Sequence, residues 1–233
     1  MLNQTQHARC KAFTLIELLV VISIILIASS IIFIGGNSGA GSSLSSSLRI
    51  VSGIAQGARG QAILKNAETR LIIHNDPTDL EKYRRLVGMV YYGTDRNGVE
   101  GWIAATQGTM LPEGIYFDAG TSASESDSGA LWSTTAYGMK LNYPLLSAEV
   151  GNAGTDYLYY EFNSNGTSSN SNAYLVLRAA RMIPNNDGMS VQELRVTDAE
   201  SGLLSALIFR RAGTTTFVTN PDALTVSNST KVE

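Results

Sequence analysis

The sequence predicts an α+β protein, a long N-terminal helix followed by an antiparallel sheet. Three observations carry this. An apolar run from Phe13 to Ile34 has helix-spanning length, and a second segment from Leu44 to Ala62 repeats its apolar residues with helical spacing. After Asn66 the pattern changes to short β-rich runs separated by turn residues.

The first element is the apolar run. Its 22 residues contain one charge, Glu17, and as a helix they would reach about 33 Å, enough to cross a bilayer's hydrocarbon core. Arg9 and Lys11 precede it with no acidic residue between Met1 and Ala12. The positive-inside rule therefore predicts a cytoplasmic N-terminus and export of the chain after Ile34. A cleaved secretory signal would have a shorter apolar core, although "IASS" (Ile27 to Ser30) offers a poor small-residue site. A plain signal anchor fits the length and leaves Glu17 unexplained, because a carboxylate in such a segment costs several kcal/mol unless it is neutralised. A third reading places processing before the run, at Ala12–Phe13.

Next comes "GGNSGAGSSLSSS" (Gly35 to Ser47), rich in weak helix formers and read as a hinge. No Gly-Lys-Ser/Thr follows it, so it is not a phosphate loop. Leu44, Leu48, Val51, Ala55, Ala58 and Ala62 then form one stripe on a helix, with Arg49, Gln56, Arg59 and Lys65 off it. The small residues of the stripe imply close packing on a sheet.

The predicted strands are "TRLIIH" (Thr69 to His74), "LVGMVYY" (Leu86 to Tyr92), "EGWIAA" (Glu100 to Ala105), "GIYF" (Gly114 to Phe117), "DYLYYEF" (Asp156 to Phe162), "AYLVLRAA" (Ala173 to Ala180), "SVQELRV" (Ser190 to Val196) and "LSALIFRR" (Leu204 to Arg211). "TDRNG" and "PNNDG" read as hairpin turns with Gly98 and Gly188 at positive φ. A Gly/Ser-laden loop spans Asp118 to Ser133, and the polar C-terminus reads as frayed.

The N-terminal "KAFTLIELLVVISIILI" resembles the class III signal of type IV pilins and type II secretion pseudopilins. In that family a prepilin peptidase cuts before a Phe, whose new amine is N-methylated, and the fifth mature residue is Glu. The resemblance implies cleavage between Ala12 and Phe13, N-methylation of Phe13, and an assembly role for Glu17, paired with the terminal amine of a neighbouring subunit. Ala12 departs from the family's usual Gly. Pairing makes a buried carboxylate tolerable and would also set register. "LRIVSGIAQGARGQAILKNAETRLII", "LPEGIYF" and "YYEFNSNGTSSNSNAYLVL" further resemble the H-type (GspH/FimT-like) minor pseudopilins, through Ala58, Arg59, Ala62, Ile63 and a Phe-x-x-x-Gly hairpin. Prepilin-type proteins of the Verru_Chthon cassette families are a second resemblance.

The resemblance thus implies a leader at 1–12, a transmembrane and filament-core helix at 13–34, a hinge at 35–47, an exported pilin-like domain at 48–220 and a flexible tail at 221–233. The implied location is the bacterial inner membrane with the C-terminal domain periplasmic, then a filament. The implied partners are other pilins or pseudopilins, a prepilin peptidase and an inner-membrane assembly platform. Cleavage would take Arg9 and Lys11 from 17 basic residues, leaving 15 against 20 acidic, a net of −5.

Composition excludes several chemistries. Mild acidity gives no nucleic-acid footprint. Cys10 is the only cysteine, so neither a disulfide framework nor a cysteine metal site exists. No Gly-x-Ser-x-Gly or His-Glu-x-x-His is present, and His74 is the one imidazole outside the leader, read as a strand-end residue. "DRNG" (Asp95 to Gly98) lacks a calcium loop's acid at position 12, which is Thr106, and reads as a turn. Trp102, Trp132 and the tyrosines read as packing residues. The expectation is a non-catalytic subunit without cofactor or metal. The alternative is a signal-anchored exported binding module or enzyme.

Overall fold

The computed structural model describes residues 15–24, 38–119, 138–148, 153–169, 173–198 and 200–218. Ala12, Phe13, the remainder of the apolar run to Ile34, Trp132 and the tail at 221–233 lie outside the described residues. Two compact units divide the chain, Met1–Gly39 and Ala40–Glu233. The first contains helix α1, residues 15–24.

The second unit is an α+β domain whose helix is α2, Ser38–Lys65. Of the hinge expected over 35–47, residues 38–47 are helical instead, and residues 35–37 lie outside the described residues. Leu44 and Leu48 are each 5% exposed and anchor the N-terminal turns in the core, while Ser47 Oγ returns a hydrogen bond to Ser43 O at 2.7 Å. Burial of an apolar face overrides weak intrinsic propensity here. Val51, Ala55, Ala58 and Ala62 are fully buried, so the predicted stripe is the face that packs. The helix ends at Asn66, which takes φ +49, and Ala67 N donates to Ala62 O at 3.1 Å. A left-handed residue satisfying a last-turn carbonyl is a common helix stop.

Among the described residues twelve strands follow: β1 Thr69–His74, β2 Leu86–Thr94, β3 Glu100–Ala104, β4 Thr109–Met110, β5 Ile115–Phe117, β6 Gly138–Leu141, β7 Thr155–Phe162, β8 Tyr174–Ala179, β9 Arg181–Pro184, β10 Val191–Arg195, β11 Leu204–Phe209 and β12 Thr215–Val218. The sheet is antiparallel as expected, but it is divided. A six-stranded sheet runs β3-β2-β1-β7-β6 with β4 beside β2, and a four-stranded sheet runs β12-β11-β8-β5. β9 and β10 form a separate arm. The chain enters the second sheet with β5, returns to the first for β6 and β7, and after the Asn163–Gly166 turn enters the second again with β8, which pairs with β5 and β11.

Register explains the two faces of each sheet. Leu71 lies opposite both Met89 and Tyr160, and all three join the core under α2. Ile72, one residue on, joins a cluster on the other face with Val90, Met139, Leu141 and Tyr157. In the second sheet Leu175 and Leu207 pair and face the main core, while Val176 and Ala206 pair and face away. Tyr160 of the first sheet stacks on Phe209 of the second, with centroids 4.1 Å apart. The core is therefore one cluster shared by α2 and both sheets.

Candidate functional site

The expected site residues fall on the first unit. Glu17 lies on α1 and is exposed, while Ala12 and Phe13 are outside the described residues. The side chains around Glu17 are apolar and open on every side of the helix. Leu15 is 82% exposed, Ile16 70% and Leu18 61%, and Leu19, Val20, Val21, Ile22 and Ile24 are also exposed. Ser23 Oγ donates to Leu19 O at 2.8 Å, which satisfies that hydroxyl within the helix. A helix apolar around its whole circumference requires an apolar surrounding, either lipid or other helices. Among the described residues, no helix is long and apolar enough to cross a membrane. The run predicted to span 13–34 extends outside the described residues in both directions.

The other residues singled out from sequence have structural settings in the second unit. Asp95 Oδ1 accepts hydrogen bonds from Asn97 N at 2.8 Å and Val99 N at 3.0 Å, and Oδ2 accepts one from Ala148 N at 3.2 Å. Those amides, Val99 foremost, hold its carboxyl below the usual range, and the predicted turn is present, with Gly98 at φ +79. Gly188 takes φ +67 in the second predicted turn. Among the described residues no group of three His, Cys, Asp or Glu is placed to hold a metal. Trp102 covers one face of the Arg70 guanidinium at 4.0 Å and Tyr159 the other at 3.9 Å, while Arg70 Nε meets Glu161 Oε2 at 2.7 Å. That arrangement commits Trp102 and Tyr159 to packing across β1, β3 and β7.

Sequence reasoning missed what Arg59 does. Its Nε donates to Gly166 O at 3.3 Å, and its side chain lies against Gly213. Ala58-Arg59-x-x-Ala62-Ile63 and Phe-x-x-x-Gly are separate motifs along the chain, and nothing local in either indicates that they touch. His74 is a strand-end residue as expected, and it is also buried, at 1% exposure. Desolvation holds its imidazole below the ordinary value of 6.5, against the pull of neighbouring carboxylates led by Asp79.

Residues 7–33 match the prokaryotic N-terminal methylation motif. Among solved structures the chain is similar to the minor pseudopilin EpsH from the Type 2 Secretion System of Vibrio cholerae. The identity is 16%, the match covers 77% of this chain and 94% of that one, and the TM-score is 0.36. No curated protein matches the chain.

Proposed function

We propose that this chain is a non-catalytic, pilin-like filament subunit, a minor pseudopilin of a type II secretion or type IV pilus-like system. The observation that carries the reading is the methylation motif over residues 7–33, with Glu17 inside it on a helix whose apolar side chains are all exposed. The chain inserts in the bacterial inner membrane through residues 13–34, with the N-terminus cytoplasmic and the C-terminal domain periplasmic. Prepilin peptidase cuts between Ala12 and Phe13, and the new amine of Phe13 is methylated. The inner-membrane assembly platform then transfers the helix from lipid into a bundle with other pilins. Apolar surface stays out of water throughout, so the transfer depends on packing and on the ion pair that Glu17 makes with the amine of its neighbour.

The Ala-Arg-x-x-Ala-Ile segment of α2 supports the H-type assignment within this reading. Intact-mass measurement of the chain from cells containing a prepilin peptidase tests the proposal. The expected species begins at Phe13 and carries one added methyl group. A chain retaining Met1, or beginning near Asn37, would overturn it in favour of a signal-anchored exported module.

A further inference from the structure

His74 closes β1 with its imidazole perpendicular to the Tyr157 ring, centroids 5.2 Å apart, and no protein group hydrogen-bonds its Nδ1. Burial in that setting favours the neutral imidazole over the charged one. The two carboxylates that act on it most strongly, Asp79 and Asp76, each accept hydrogen bonds from the segment after β1. Asp76 Oδ1 accepts from Thr78 N at 2.9 Å and from Thr78 Oγ1 at 2.7 Å. Asp79 accepts from Lys82 N at 3.1 Å and from its ammonium at 2.7 Å. Asp76, Asp79 and Lys82 from the segment after β1, with Asp156 and Tyr157 from β7, are the charged and titratable groups that face His74.

The segment that Asp76 and Asp79 shape, residues 75–85, holds separate parts of the domain together. Arg84 takes φ +53, a left-handed conformation that costs a non-glycine residue energy. It is kept there by two backbone bonds. Its N–H donates to His74 O at 2.9 Å, and its carbonyl accepts from Phe117 N of β5 at 2.9 Å. The six-stranded sheet is thereby joined to the four-stranded one. Pro77 O accepts from Val191 N at 2.8 Å, which ties the β9–β10 arm to the same segment.

We propose that His74 is a proton-operated latch on the segment 75–85. Protonation puts a charge on an imidazole that is buried and has no partner at Nδ1, and the carboxylates that act on it most strongly are Asp79 and Asp76. Relief of that buried charge requires His74 to shift, and the His74 carbonyl is the acceptor that holds Arg84 N at 2.9 Å. The strained Arg84 then loses its support, and the bonds to β5 and to the β9–β10 arm are released. Because burial depresses the proton affinity of His74, the latch is closed near neutral pH, weakens as pH falls below the ordinary 6.5, and is open once pH passes the lowered folded value. The latch lies within the Ala40–Glu233 unit and does not depend on the filament reading.

The full-length chain in detergent micelles tests this directly, since His7 and His74 are its only histidines. Carbon-13-labelled imidazole signals are followed from about pH 7.5 to about pH 5, a window that spans histidine and stays above the carboxylates. Hydrogen exchange is measured on the same samples and corrected for intrinsic rates. The expected result is a His74 signal titrating below 6.5. Protection over 75–85 should fall in step with it, by up to about tenfold per pH unit, the limit for one linked proton, while α2 and β8 are unchanged. A His74→Phe variant should lose that pH dependence. Three results would overturn the latch: a His74 signal at or above 6.5, titration with no change over 75–85, or the same pH dependence in the Phe variant. If that variant does not fold, the wild-type titration and exchange decide alone.

Discussion

Arg59 and Gly166 lie 107 positions apart and meet at 3.3 Å, the arginine's Nε donating to the glycine's carbonyl. Gly213 completes the contact, since its backbone lies against both the Arg59 side chain and the Gly166 carbonyl. One helix and two turns, the 163–166 turn after β7 and the 210–213 turn between β11 and β12, therefore converge where there is no room for a methyl group.

Gly213→Ala should be severely destabilising. The residue has φ +75, and an added Cβ would collide with backbone at Gly166. The left-handed conformation alone costs about 1–2 kcal/mol, and the collision adds to it. Gly98→Ala is the control, because its φ is +79 but nothing lies within 4 Å of the added carbon. Chemical denaturation of the two variants should show a modest loss for Gly98→Ala and a clearly larger one for Gly213→Ala. Equal losses would mean that the convergence at Arg59 is not tight.

The buried stripe of α2 sets a second expectation. Ala58 is fully buried among large side chains, whereas Gln56 on the same helix is exposed. Ala58→Leu should cost about 1–3 kcal/mol through overpacking. Gln56→Leu loses one exposed hydrogen bond, from Gln56 Nε2 to Thr215 Oγ1 at 3.2 Å, and should cost about 0.5 kcal/mol. Denaturant midpoints of the two proteins compare them directly, and an Ala58→Leu variant as stable as wild type would show that α2 and the sheets leave space between them for a larger side chain.

Arg70 should not accept lysine. Its planar guanidinium lies between the Trp102 and Tyr159 rings, and its Nε pairs with Glu161. Lysine keeps the charge and loses both flat contacts. The expected cost is about 1–2 kcal/mol, accompanied by a shift in tryptophan emission as Trp102 is uncovered. Unchanged emission and stability would mean that the stack contributes nothing in solution.

Acidification should weaken the domain in two stages. His74 has a folded pKa depressed by burial, so its contribution is present above 6.5 and is lost as pH falls from there through the folded value. The carboxyls come next. The Thr78 hydroxyl holds Asp76 below its ordinary 3.8, and the Thr197 hydroxyl holds Glu200 below its ordinary 4.5. Their contributions are present above those ordinary values and are lost as pH falls through the folded ones. Denaturant midpoints measured against pH should bend first below 6.5 and again below about 4.5. A midpoint flat from neutrality down to the carboxylate range would contradict the setting of His74.

What the sequence reveals of this fold, and what it hides, has physical reasons. The stripe from Leu44 to Ala62 is legible because one face of one helix is buried, and burial writes a 3.6-residue period into the sequence. β1, β7, β8 and β11 are legible because they are buried, apolar central strands. β4, β6, β9 and β12 are not. They are short strands such as Thr109–Met110 and Thr215–Val218, and they owe their conformation to a neighbour's ladder more than to their own side chains. Residues 38–47 mislead for a related reason: Gly and Ser are weak helix formers, and only the tertiary burial of Leu44 and Leu48 makes that stretch helical. Arg59, Arg70 and His74 owe their surroundings to contacts distant in sequence, which leave no local period to detect.

Glu17 carries the last prediction. It is the one charge in the apolar run, on a helix whose neighbouring side chains are exposed around its circumference. If its role is to pair with the amine of an adjacent subunit, neutralising it removes a cost in lipid and removes a partner in the filament. Glu17→Gln should therefore insert in the membrane at least as well as wild type, since an amide is cheaper than a carboxylate in hydrocarbon. It should nevertheless fail to enter filaments, because the neighbour's ammonium is left buried and unpaired, at a cost of about 3–5 kcal/mol. Membrane fractionation and recovery in sheared filaments, measured in the same cells, separate the two effects. Normal recovery of Glu17→Gln in filaments would refute the pairing even if cleavage at Ala12–Phe13 were confirmed. Loss from both fractions would place the role of Glu17 in insertion instead.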